Sequence, residues 1–441
     1  MPSTASANPV VAIIGRPNVG KSTLFNRVLG ERRAVVHDRP GITRDRNTAR
    51  AEWSGRDFLL VDTGGFLPTA AEGRDAHVRR QAEIAIGLAD VVLFLVDVKT
   101  GVTDLDLAIA RELRRREARS LLVVNKVDKP GDVGTHDFHR LGLGEPQPIS
   151  AENGIGVGDL LDHILALLPA RAATDEAPGR RVAIVGRPNV GKSSIVNVLL
   201  REERVIVEPR PGTTMDAIDT VWRTPAGAFT LVDTAGIRHQ ARFEDEAEFY
   251  AVVRALHALQ RADIACLVVD ATQGFLRQEA RLAQDALDGG CSTLLVYNKW
   301  DLIEGREEAW KRLTRERTER YPTLADIPAV PVSATAKINL GRLPRLILAR
   351  AEEHQRRIPT SQLNAWLEEV QKVRAVPATR GGFTPKLYYM TQTGTAPPEF
   401  ALFVNHPQRL SQNYRRFLWR RFGERFDFHG TPFRLRVRKS T

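Results

Sequence analysis

The sequence has few cysteines and no long apolar run, and each shortage excludes a class of protein. Its two cysteines, Cys266 and Cys291, lie in or beside apolar runs and match neither C-x-x-C nor a zinc-binding spacing. We therefore expect buried, reduced thiols, as in a cytoplasmic protein, and no disulfide framework. Apolar runs such as residues 91–96 are far shorter than the roughly 20 residues that cross a bilayer, so we expect no membrane partner.

The N-terminus also lacks the basic and apolar stretches of a signal peptide. Residues 1–9, MPSTASANP, are small and polar and predict a short disordered tail. The whole chain of 441 residues is too long for one hydrophobic core, and its length indicates roughly three domains.

Positive charge is in excess, and it is unevenly distributed along the chain. The net charge is +11, yet residues 1–180 are neutral and residues 181–351 carry only +2. Residues 352–441 hold 16 Lys and Arg against 7 Asp and Glu. A basic segment joined to nearly neutral ones favours a polyanionic partner, with RNA preferred to DNA. A solvated basic surface that aids solubility is the alternative.

An internal repeat defines the domain organisation. GRPNVGKS begins at Gly15 and again at Gly186, DTGG at Asp62 recurs as DTAG at Asp233, and NKVD at Asn125 recurs as NKWD at Asn298. In each copy, compact apolar runs alternate with amphipathic helical stretches, which predicts a doubly wound α/β fold with a mostly parallel sheet. The predicted boundaries are 1–9 for the tail, 10–169 for the first domain, 170–180 for a flexible linker, 181–351 for the second domain and 352–441 for the third.

The third domain has a different pattern, in the order α-β-β-α-β, which predicts a small α+β domain. A helix is expected after Pro359, capped by Thr360 or Ser361. Strands are expected at 386–393, 400–405 and 433–438, the last at a sheet edge. A helix over 410–425 would place four apolar residues on one face: Tyr414, Phe417, Leu418 and Phe422.

Each copy of the repeat carries a phosphate-binding loop, G-x-x-x-x-G-K-S, between a strand and a helix. Its backbone N–H groups and the helix N-terminus attract phosphates, the lysine reaches the β- and γ-phosphates, and the serine hydroxyl contacts Mg²⁺. The candidate residues of the loop and the first helical turn are Gly15, Asn18, Gly20, Lys21, Ser22 and Thr23, then Gly186, Asn189, Gly191, Lys192, Ser193 and Ser194.

A second group of residues is predicted at the γ-phosphate. Asp62 and Asp233 end apolar strands, where a carboxylate can hold Mg²⁺, and Gly65 and Gly236 can offer a backbone N–H to the γ-phosphate. Two threonines that follow Pro-Gly pairs are predicted to join the Mg²⁺ shell only in the GTP state; the alternative is an ordinary turn residue. These are Thr43 and Thr214.

The N-K-x-D motif predicts guanine specificity. A carboxylate accepts from the N1–H and the exocyclic amine of guanine together, whereas adenine has no such donor pair. The lysine can pack along the base, and the alanine of a later Ser-Ala pair can offer its N–H to the guanine oxygen. The residues are Asn125, Lys126, Asp128, Ser150 and Ala151 in the first copy, and Asn298, Lys299, Asp301, Ser333 and Ala334 in the second.

With these residues in place, the chain resembles the bacterial double-Era-like GTPases, called Der or EngA. The resemblance extends from Val10 to Arg438 and includes the C-terminal segments PKLYYMTQ and FHGTPFRLRVR. It implies two tandem P-loop GTPase domains followed by a small KH-like domain. It also implies a monomeric GTP hydrolase that uses GTP/GDP and Mg²⁺ and assists assembly of the large ribosomal subunit through its rRNA.

Three further features of the sequence bear on function. Phe66 and Ile237 stand where many GTPases carry a water-orienting glutamine, so we expect slow intrinsic turnover. Similar asparagines in potassium-activated relatives bind K⁺, so Asn18 and Asn189 are candidate K⁺ ligands; an asparagine suited to a turn is the alternative. The third domain also lacks the G-x-x-G loop of KH domains, since Gly381 and Gly382 are adjacent.

Two other functions compete with a switch in ribosome assembly. One is an RNA-binding scaffold whose affinity GTP regulates, with incidental hydrolysis. The other is a GTPase of tRNA modification or iron transport, which is disfavoured because no cysteine lies near the C-terminus and no membrane span is found.

Overall fold

The computed structural model describes residues 9–30, 48–63, 78–79, 82–83, 85–87, 89–128, 133–169, 180–202, 219–234, 247–378 and 383–440. These residues fall into two compact units, divided between Leu167 and Arg181. Among the described helices, none combines the length and apolarity that a bilayer crossing requires.

The first unit contains a six-stranded sheet in the order β2-β3-β1-β4-β5-β6. Its strands are β1 (Val10–Ile14), β2 (Thr48–Trp53), β3 (Arg56–Asp62), β4 (Val91–Asp97), β5 (Ser120–Asn125) and β6 (Gln147–Pro148). All neighbours pair in parallel except β2, which forms an antiparallel hairpin with β3. β4 reads VVLFLVD and is buried along its whole length, as expected for a central parallel strand covered on both faces.

Helices cover both faces of this sheet. They are α1 (Lys21–Gly30), α2 (Asp104–Arg115) and α3 (Val157–Leu167). Leu24 of α1 and Ile164 of α3 belong to one apolar cluster, whereas Ile109 of α2 belongs to another together with Phe138. Alternate residues of β1 enter the two clusters, Val11 into one and Ala12 into the other, so a two-sided core fixes the register of the strand.

The second unit begins with the same architecture. Its six-stranded sheet has the order β12-β11-β10-β7-β9-β8, the first sheet's order read from the opposite edge. The strands are β7 (Arg181–Val185), β8 (Thr220–Thr224), β9 (Gly227–Val232), β10 (Ile264–Asp270), β11 (Ser292–Asn298) and β12 (Ala329–Pro331). The helices are α4 (Lys192–Glu202), α5 (Ala247–Arg261), α6 (Arg277–Gly289), α7 (Arg306–Arg320) and α8 (Leu343–Gln355). The expected duplication of a doubly wound α/β fold is confirmed.

The last part of the second unit is a two-layer α+β fold, in the expected order α-β-β-α-β. It consists of α9 (Thr360–Val373), β13 (Leu387–Gly394), β14 (Glu399–Val404), α10 (Gln412–Phe426) and β15 (Arg434–Lys439). β13 pairs antiparallel with β14, and β15 pairs parallel with β14. The core between helices and sheet joins Trp366 of α9 and Phe422 of α10, whose rings meet edge-on with centroids 5.0 Å apart, to Phe400 of β14.

This C-terminal fold packs against the second GTPase-like fold through backbone hydrogen bonds. The N–H of Thr293 on β11 donates to the carbonyl of Gly430 at 2.7 Å, and the hydroxyls of Ser292 and Thr431 lie 2.6 Å apart. A Cβ on Gly430, whose φ is +68°, would lie 2.9 Å from the carbonyl oxygen of Thr293, so only glycine allows this close approach. The loop before β15 therefore pairs with the start of β11, ahead of the part of β11 that pairs with β12.

A buried histidine completes this interface. His354, near the end of α8, contacts the carbonyl of Gly290 through Nε2 at 2.7 Å, while its own carbonyl accepts from the N–H of Ala396. Burial lowers the pKa of His354, despite the hydrogen bond to Gly290 and the charge of Asp263, which act in the opposite direction. The ring is therefore neutral at physiological pH and holds the end of α8 to Gly290, while the carbonyl of His354 provides the contact with Ala396 of the C-terminal fold.

The structure corrects two details of the sequence-based expectations. Pro9, assigned to the tail, accepts a hydrogen bond from the N–H of Leu59 at 2.9 Å, because the pairing of β1 with β3 extends one residue earlier. Neither Thr360 nor Ser361 caps α9: the cap is Pro359, whose carbonyl accepts from the N–H of Leu363, with no side-chain contribution. Residues 1–8 and 170–179, the rest of the expected tail and most of the expected linker, lie outside the described residues.

Candidate nucleotide-binding sites

Both phosphate loops leave the carboxyl end of a buried strand and enter a helix at the predicted lysine. The loop glycines are required by close approach as well as by backbone angle. A Cβ on Gly15 would lie 2.3 Å from the carbonyl oxygen of Leu95, and one on Gly20 would lie 2.3 Å from Nδ2 of Asn125. Gly186 and Gly191 meet the corresponding atoms of the second copy at 2.4 and 2.2 Å. No side chain fits at these positions.

The two loop lysines are buried and are held by carbonyl oxygens. Lys21 Nζ donates to the carbonyls of Gly15 and Arg16 at 2.8 Å each, and Lys192 Nζ donates to those of Gly186 and Arg187 at 2.9 and 2.6 Å. Burial lowers the pKa of each lysine to about 8. A desolvated cation among neutral acceptors creates strong demand for an anion, which a triphosphate would satisfy.

One asparagine in each copy ties the phosphate loop to the loop at the guanine end. Asn125 Nδ2 donates to the carbonyl of Val19 at 2.8 Å, and its Oδ1 accepts from the N–H of Ala151 at 2.9 Å. Asn298 makes the same pair of bonds to Val190 and Ala334, at 2.9 and 3.1 Å. Both asparagines are buried, so each carboxamide fixes the distance between the phosphate end and the base end of its site.

The contact of Ala151 and Ala334 with the guanine oxygen stays a prediction, and the structure shows a second partner for the same donors. Their backbone N–H groups donate to the asparagine carboxamides described above, because each Asn Oδ1 would otherwise be a buried acceptor without a partner. A guanine oxygen would have to share this donor.

The aspartate predicted to select guanine is held by donors on both carboxylate oxygens. Asp128 Oδ1 accepts from Ser150 Oγ at 2.9 Å and from Asn153 Nδ2 at 3.2 Å, while Oδ2 pairs with Lys99 Nζ at 2.9 Å. The Lys99 and Ser150 hydrogen bonds hold the pKa of Asp128 below its usual range, so it is an acceptor only. In the second copy Ser333 Oγ donates to Asp301 in the same way.

In the first copy the structure brings together the serine and the aspartate that are predicted to hold Mg²⁺. Ser22 Oγ lies 2.6 Å from Oδ2 of the buried Asp62. A hydroxyl and a carboxylate are hard oxygen ligands, which suit Mg²⁺. In the second copy Ser193 lies in the first turn of α4, and Asp233 follows β9 with a left-handed φ of +56°. Asp233 donates its N–H to Asp219 Oδ1 at 3.2 Å.

The two candidate K⁺ ligands occupy turn positions of the loops. Asn18 and Asn189 have φ of +66° and +61°, a conformation that asparagine tolerates better than other residues with a Cβ. Both residues are exposed. The turn alone therefore explains the residue type, and the exposed carboxamides also fit a ligand role.

A carboxylate that was not predicted from the sequence orients the lysine of each N-K-x-D motif. Lys126 Nζ donates to Asp97 Oδ2 at 2.6 Å and to the carbonyl of Asn18 at 2.9 Å, and Lys299 pairs with Asp270 at 2.6 Å. Although burial alone would raise it, the bonds to Lys126 and Lys99 hold the pKa of Asp97 low. Asp97 and Asp270 occupy equivalent positions in the two copies, each at the same spacing before its N-K-x-D motif, a signal that could have revealed them.

In each copy, an ion pair that was not predicted from the sequence joins the phosphate loop to the helix that follows β4 or its equivalent β10. Arg16 Nε lies 3.2 Å from Oδ2 of the fully buried Asp106 in the first turn of α2. Arg187 pairs with the equally buried Glu279 in the first turn of α6. These two acids are also equivalent in the repeat, since Asp106 follows Asp97 at the same spacing as Glu279 follows Asp270.

The remaining predicted residues are only partly placed. Thr23 and Ser194 are exposed in the first turn of their helices. Thr43, Gly65, Thr214 and Gly236 lie outside the described residues, as do Phe66 and Ile237, so their roles at the γ-phosphate stay predictions.

Comparison with known proteins agrees with the geometry of both sites. A family model described as "50S ribosome-binding GTPase" matches residues 10–126 and again residues 181–299. A model described as the C-terminal "KH-domain-like of EngA bacterial GTPase enzymes" matches residues 357–438. The two GTPase matches span both phosphate loops and reach the lysine of each N-K-x-D motif.

Curated relatives match along nearly the whole chain. GTPase Der of Desulforamulus reducens is 44% identical over 432 residues, and GTPase Der of Moorella thermoacetica is 45% identical over 432 residues, each covering 98% of both chains. Among solved structures, Era in complex with MgGDPNP and nucleotides 1506–1542 of 16S ribosomal RNA is 24% identical, with a TM-score of 0.31, covering 60% of this chain and 93% of that one.

We predict that GTP binding takes up protons in mildly alkaline solution. Lys21 and Lys192 have a pKa of about 8 in the free protein, and bound phosphates must raise it. Each site should therefore absorb roughly three quarters of a proton at pH 8.5 and less than ~0.1 at pH 7. Calorimetry in two buffers of different ionisation enthalpy measures this uptake. Binding heats independent of the buffer at pH 8.5 would show that both lysines are already charged.

We further predict that Asp128→Asn exchanges guanine for xanthine specificity in the first site alone. The amide offers only one acceptor oxygen but can donate to the xanthine 2-oxygen, so GTP affinity should fall about 10- to 150-fold, as expected for the loss of one hydrogen bond to a charged group. The number of tightly bound GTP molecules per protein should drop from two to one, and one XTP should bind in addition at the altered site. Asp301→Asn should act on the second site, and Asp104→Asn, an exposed change in the same unit as Asp128, should act on neither. A wild-type stoichiometry of one would contradict two working sites.

Proposed function

The chain belongs to the GTPase Der family, and from that membership we propose that it is a GTP-driven switch in assembly of the large ribosomal subunit. GTP binding and hydrolysis follow from the family itself. The observation that carries the proposal further is a C-terminal fold with a net +9 over residues 352–441, hydrogen-bonded to the second GTPase fold. The description of the matching family model, ribosome binding, supports the same partner. We expect a cytoplasmic monomer.

In the proposed reaction the chain positions the γ-phosphoryl group for transfer to water. The N–H groups at the start of α1 and α4 and the ammonium groups of Lys21 and Lys192 would bind the phosphates and neutralise charge that grows on them. We propose that Thr43 and Thr214 join the Mg²⁺ shell in the GTP state and that Gly65 and Gly236 offer a backbone N–H to the γ-phosphate. With Phe66 and Ile237 at the position of a water-orienting glutamine, the chain supplies little activation of the water, and turnover should be slow without a partner.

Mg²⁺ fits the oxygen pair found in the first site. Ser22 and Asp62 would hold it there, with Thr43 joining them, and Ser193, Asp233 and Thr214 would do so in the second site. The metal, when bound, neutralises charge on the β- and γ-phosphate oxygens. The two residues also orient each other: the buried Asp62 accepts a hydrogen bond from Ser22, which keeps the Ser22 hydroxyl oxygen next to the phosphate loop.

We predict that hydrolysis depends on K⁺ through Asn18 and Asn189. A monovalent cation beside the phosphates would stand where other GTPases insert an arginine. Turnover in KCl should exceed turnover in NaCl, and Asn18→Gly together with Asn189→Gly, which keeps the left-handed turn, should remove the difference. Equal turnover of the unaltered protein in both salts would contradict a K⁺ role.

The second GTPase fold is the one favoured to control the basic fold, because a single strand serves both. β11 is buried throughout; Thr293, near its start, bonds to Gly430, and its last residue, Asn298, bridges the two loops of the nucleotide site. A shift of β11 on nucleotide binding would therefore reach the basic fold directly.

An RNA-binding scaffold with incidental hydrolysis is the second candidate. The same buried interface supports it, because a fold locked to β11 could bind RNA in any nucleotide state. The two candidates differ in whether the nucleotide changes binding.

We predict that the protein co-sediments with purified large ribosomal subunits more strongly with a non-hydrolysable GTP analogue than with GDP. Salt must be held fixed, because phosphate contacts weaken steeply with ionic strength. Lys192→Ala, which removes the second loop's cation, should abolish the difference between nucleotides. Equal binding in both states would support the scaffold, and no binding in either state would contradict the large subunit as the partner.

A further inference from the structure

The sheet of the C-terminal fold has one covered and one open face. Phe400 and Leu402 of β14 point into the core shared with α9 and α10. The opposite side, called here the outer face, carries Tyr389 of β13, Phe403 of β14, and the three arginines of β15, Arg434, Arg436 and Arg438. Strand pairing places Tyr389, Phe403 and Arg438 in one row across the three strands.

A β-bulge delivers the tyrosine to this face. Leu387 pairs with Val404, yet Tyr389 pairs with Phe403, so two steps along β13 match one step along β14. Leu387 and Met390 are consequently both buried although they are three residues apart, while Tyr388 and Tyr389 are 52% and 42% exposed. A bulge that re-aims a side chain is a feature commonly found at binding sites.

The exposed ring of Tyr389 is already stacked. It lies parallel to Phe403, with ring centroids 4.5 Å apart and planes inclined by 12°. Burial in the core does not account for this pair, because Tyr389 is in solvent. A flat, pre-ordered aromatic surface is what unpaired nucleobases stack upon.

A row of cations runs beside the ring pair. Arg434, Arg436 and Arg438 alternate along β15 with Leu435 and Val437, which pack on the core, so the Cα atoms of successive arginines are about 6.6 Å apart along the strand. Glu399 pairs with Arg434 at 2.9 Å and Arg436 at 3.4 Å. Arg438, in the row of Tyr389 and Phe403, forms no ion pair with any residue that the structure describes.

A second aromatic and cationic cluster lies at the end of the same strands. Lys386 and Asn405 pair just beyond Leu387 and Val404. Next to them, Phe383 meets the ring of His406 edge-on at 4.9 Å, and the Arg409 guanidinium lies 4.6 Å from the Phe383 ring centroid. This cluster of two aromatic rings and one arginine lies beyond the ends of β13 and β14.

We infer that the outer face binds single-stranded RNA, with a base stacked on the Tyr389–Phe403 pair and the phosphate backbone along the arginines of β15. The inference rests on the proposed RNA partner and assigns it a surface. It differs from binding by a G-x-x-G loop, which residues 352–441 do not contain.

Protection of a sheet edge against aggregation is the competing explanation for the arginines. Charged residues do protect edge strands such as β15. That explanation leaves Tyr389 and Phe403 unaccounted for, because exposed stacked rings on the same face would favour aggregation. A ligand that needs both rings and cations accounts for the whole face.

The test is binding of a fluorescein-labelled 12-nucleotide single-stranded RNA to the full-length protein, by anisotropy across a salt series. Tyr389→Leu should weaken binding about 5- to 100-fold, the range for loss of one stacked base, without changing the salt dependence. Arg438→Gln should lower the slope of log affinity against log salt by about 0.7. The controls are Trp419→Leu, another exposed aromatic of the same fold, and Arg315→Gln, an exposed arginine of α7; neither should change affinity or slope.

Two further readouts separate this inference from the proposed function. GTP turnover and thermal unfolding should be unchanged in Tyr389→Leu and Arg438→Gln, since both side chains are outside the core and the nucleotide sites. If the RNA binds all variants equally, or binds no form while the protein still co-sediments with large subunits, the inference is wrong and the proposed function stands. Variants that bind RNA normally but lose subunit binding would show that the face contacts a protein, which would also overturn it.

Discussion

Each nucleotide site depends on one buried carboxamide. Asn125 and Asn298 each join the phosphate loop to the loop at the base end through a donated and an accepted hydrogen bond. A side chain on the loop glycine would prevent this contact, because a Cβ on Gly20 or Gly191 would lie 2.3 or 2.2 Å from the carboxamide nitrogen. The glycine of the loop and the asparagine of a motif far along the chain therefore form one structural requirement.

The two copies keep this frame and differ in the charges around it. The arginine of the phosphate loop pairs with Asp106 in the first copy and with the longer acid Glu279 in the second. Lys99, which binds Asp128 in the first copy, corresponds to Thr272, whose hydroxyl bonds to Asp270 instead. The carboxylate that faces the base thus has a competing cation from this position in the first site only, a basis for unequal nucleotide affinity.

How much the sequence could predict depended on whether a residue belongs to a local motif. The phosphate loops, the N-K-x-D motifs and the order of elements were readable because their chemistry is set by short spacings and by buried runs such as β4. Asp97 and Asp106 were missed because each acts through a partner distant in sequence, Lys126 and Arg16. The outer face was missed for a similar reason: the bulge at Tyr388 breaks the alternation, and only strand pairing shows that Tyr389, Phe403 and Arg438 share a row.

The second nucleotide site and the outer face are connected through β11 and the loop before β15. Asn298 ends β11, Thr293 of the same strand bonds to Gly430, and Gly430 lies in the short loop just before β15. Since β11 is buried throughout and Thr293 bonds to Gly430, a displacement of the strand would be passed to the loop that leads into β15. The arginines of β15 are therefore the part of the basic surface most directly exposed to events at Asn298, which favours the second site over the first as the one whose occupancy governs RNA contact.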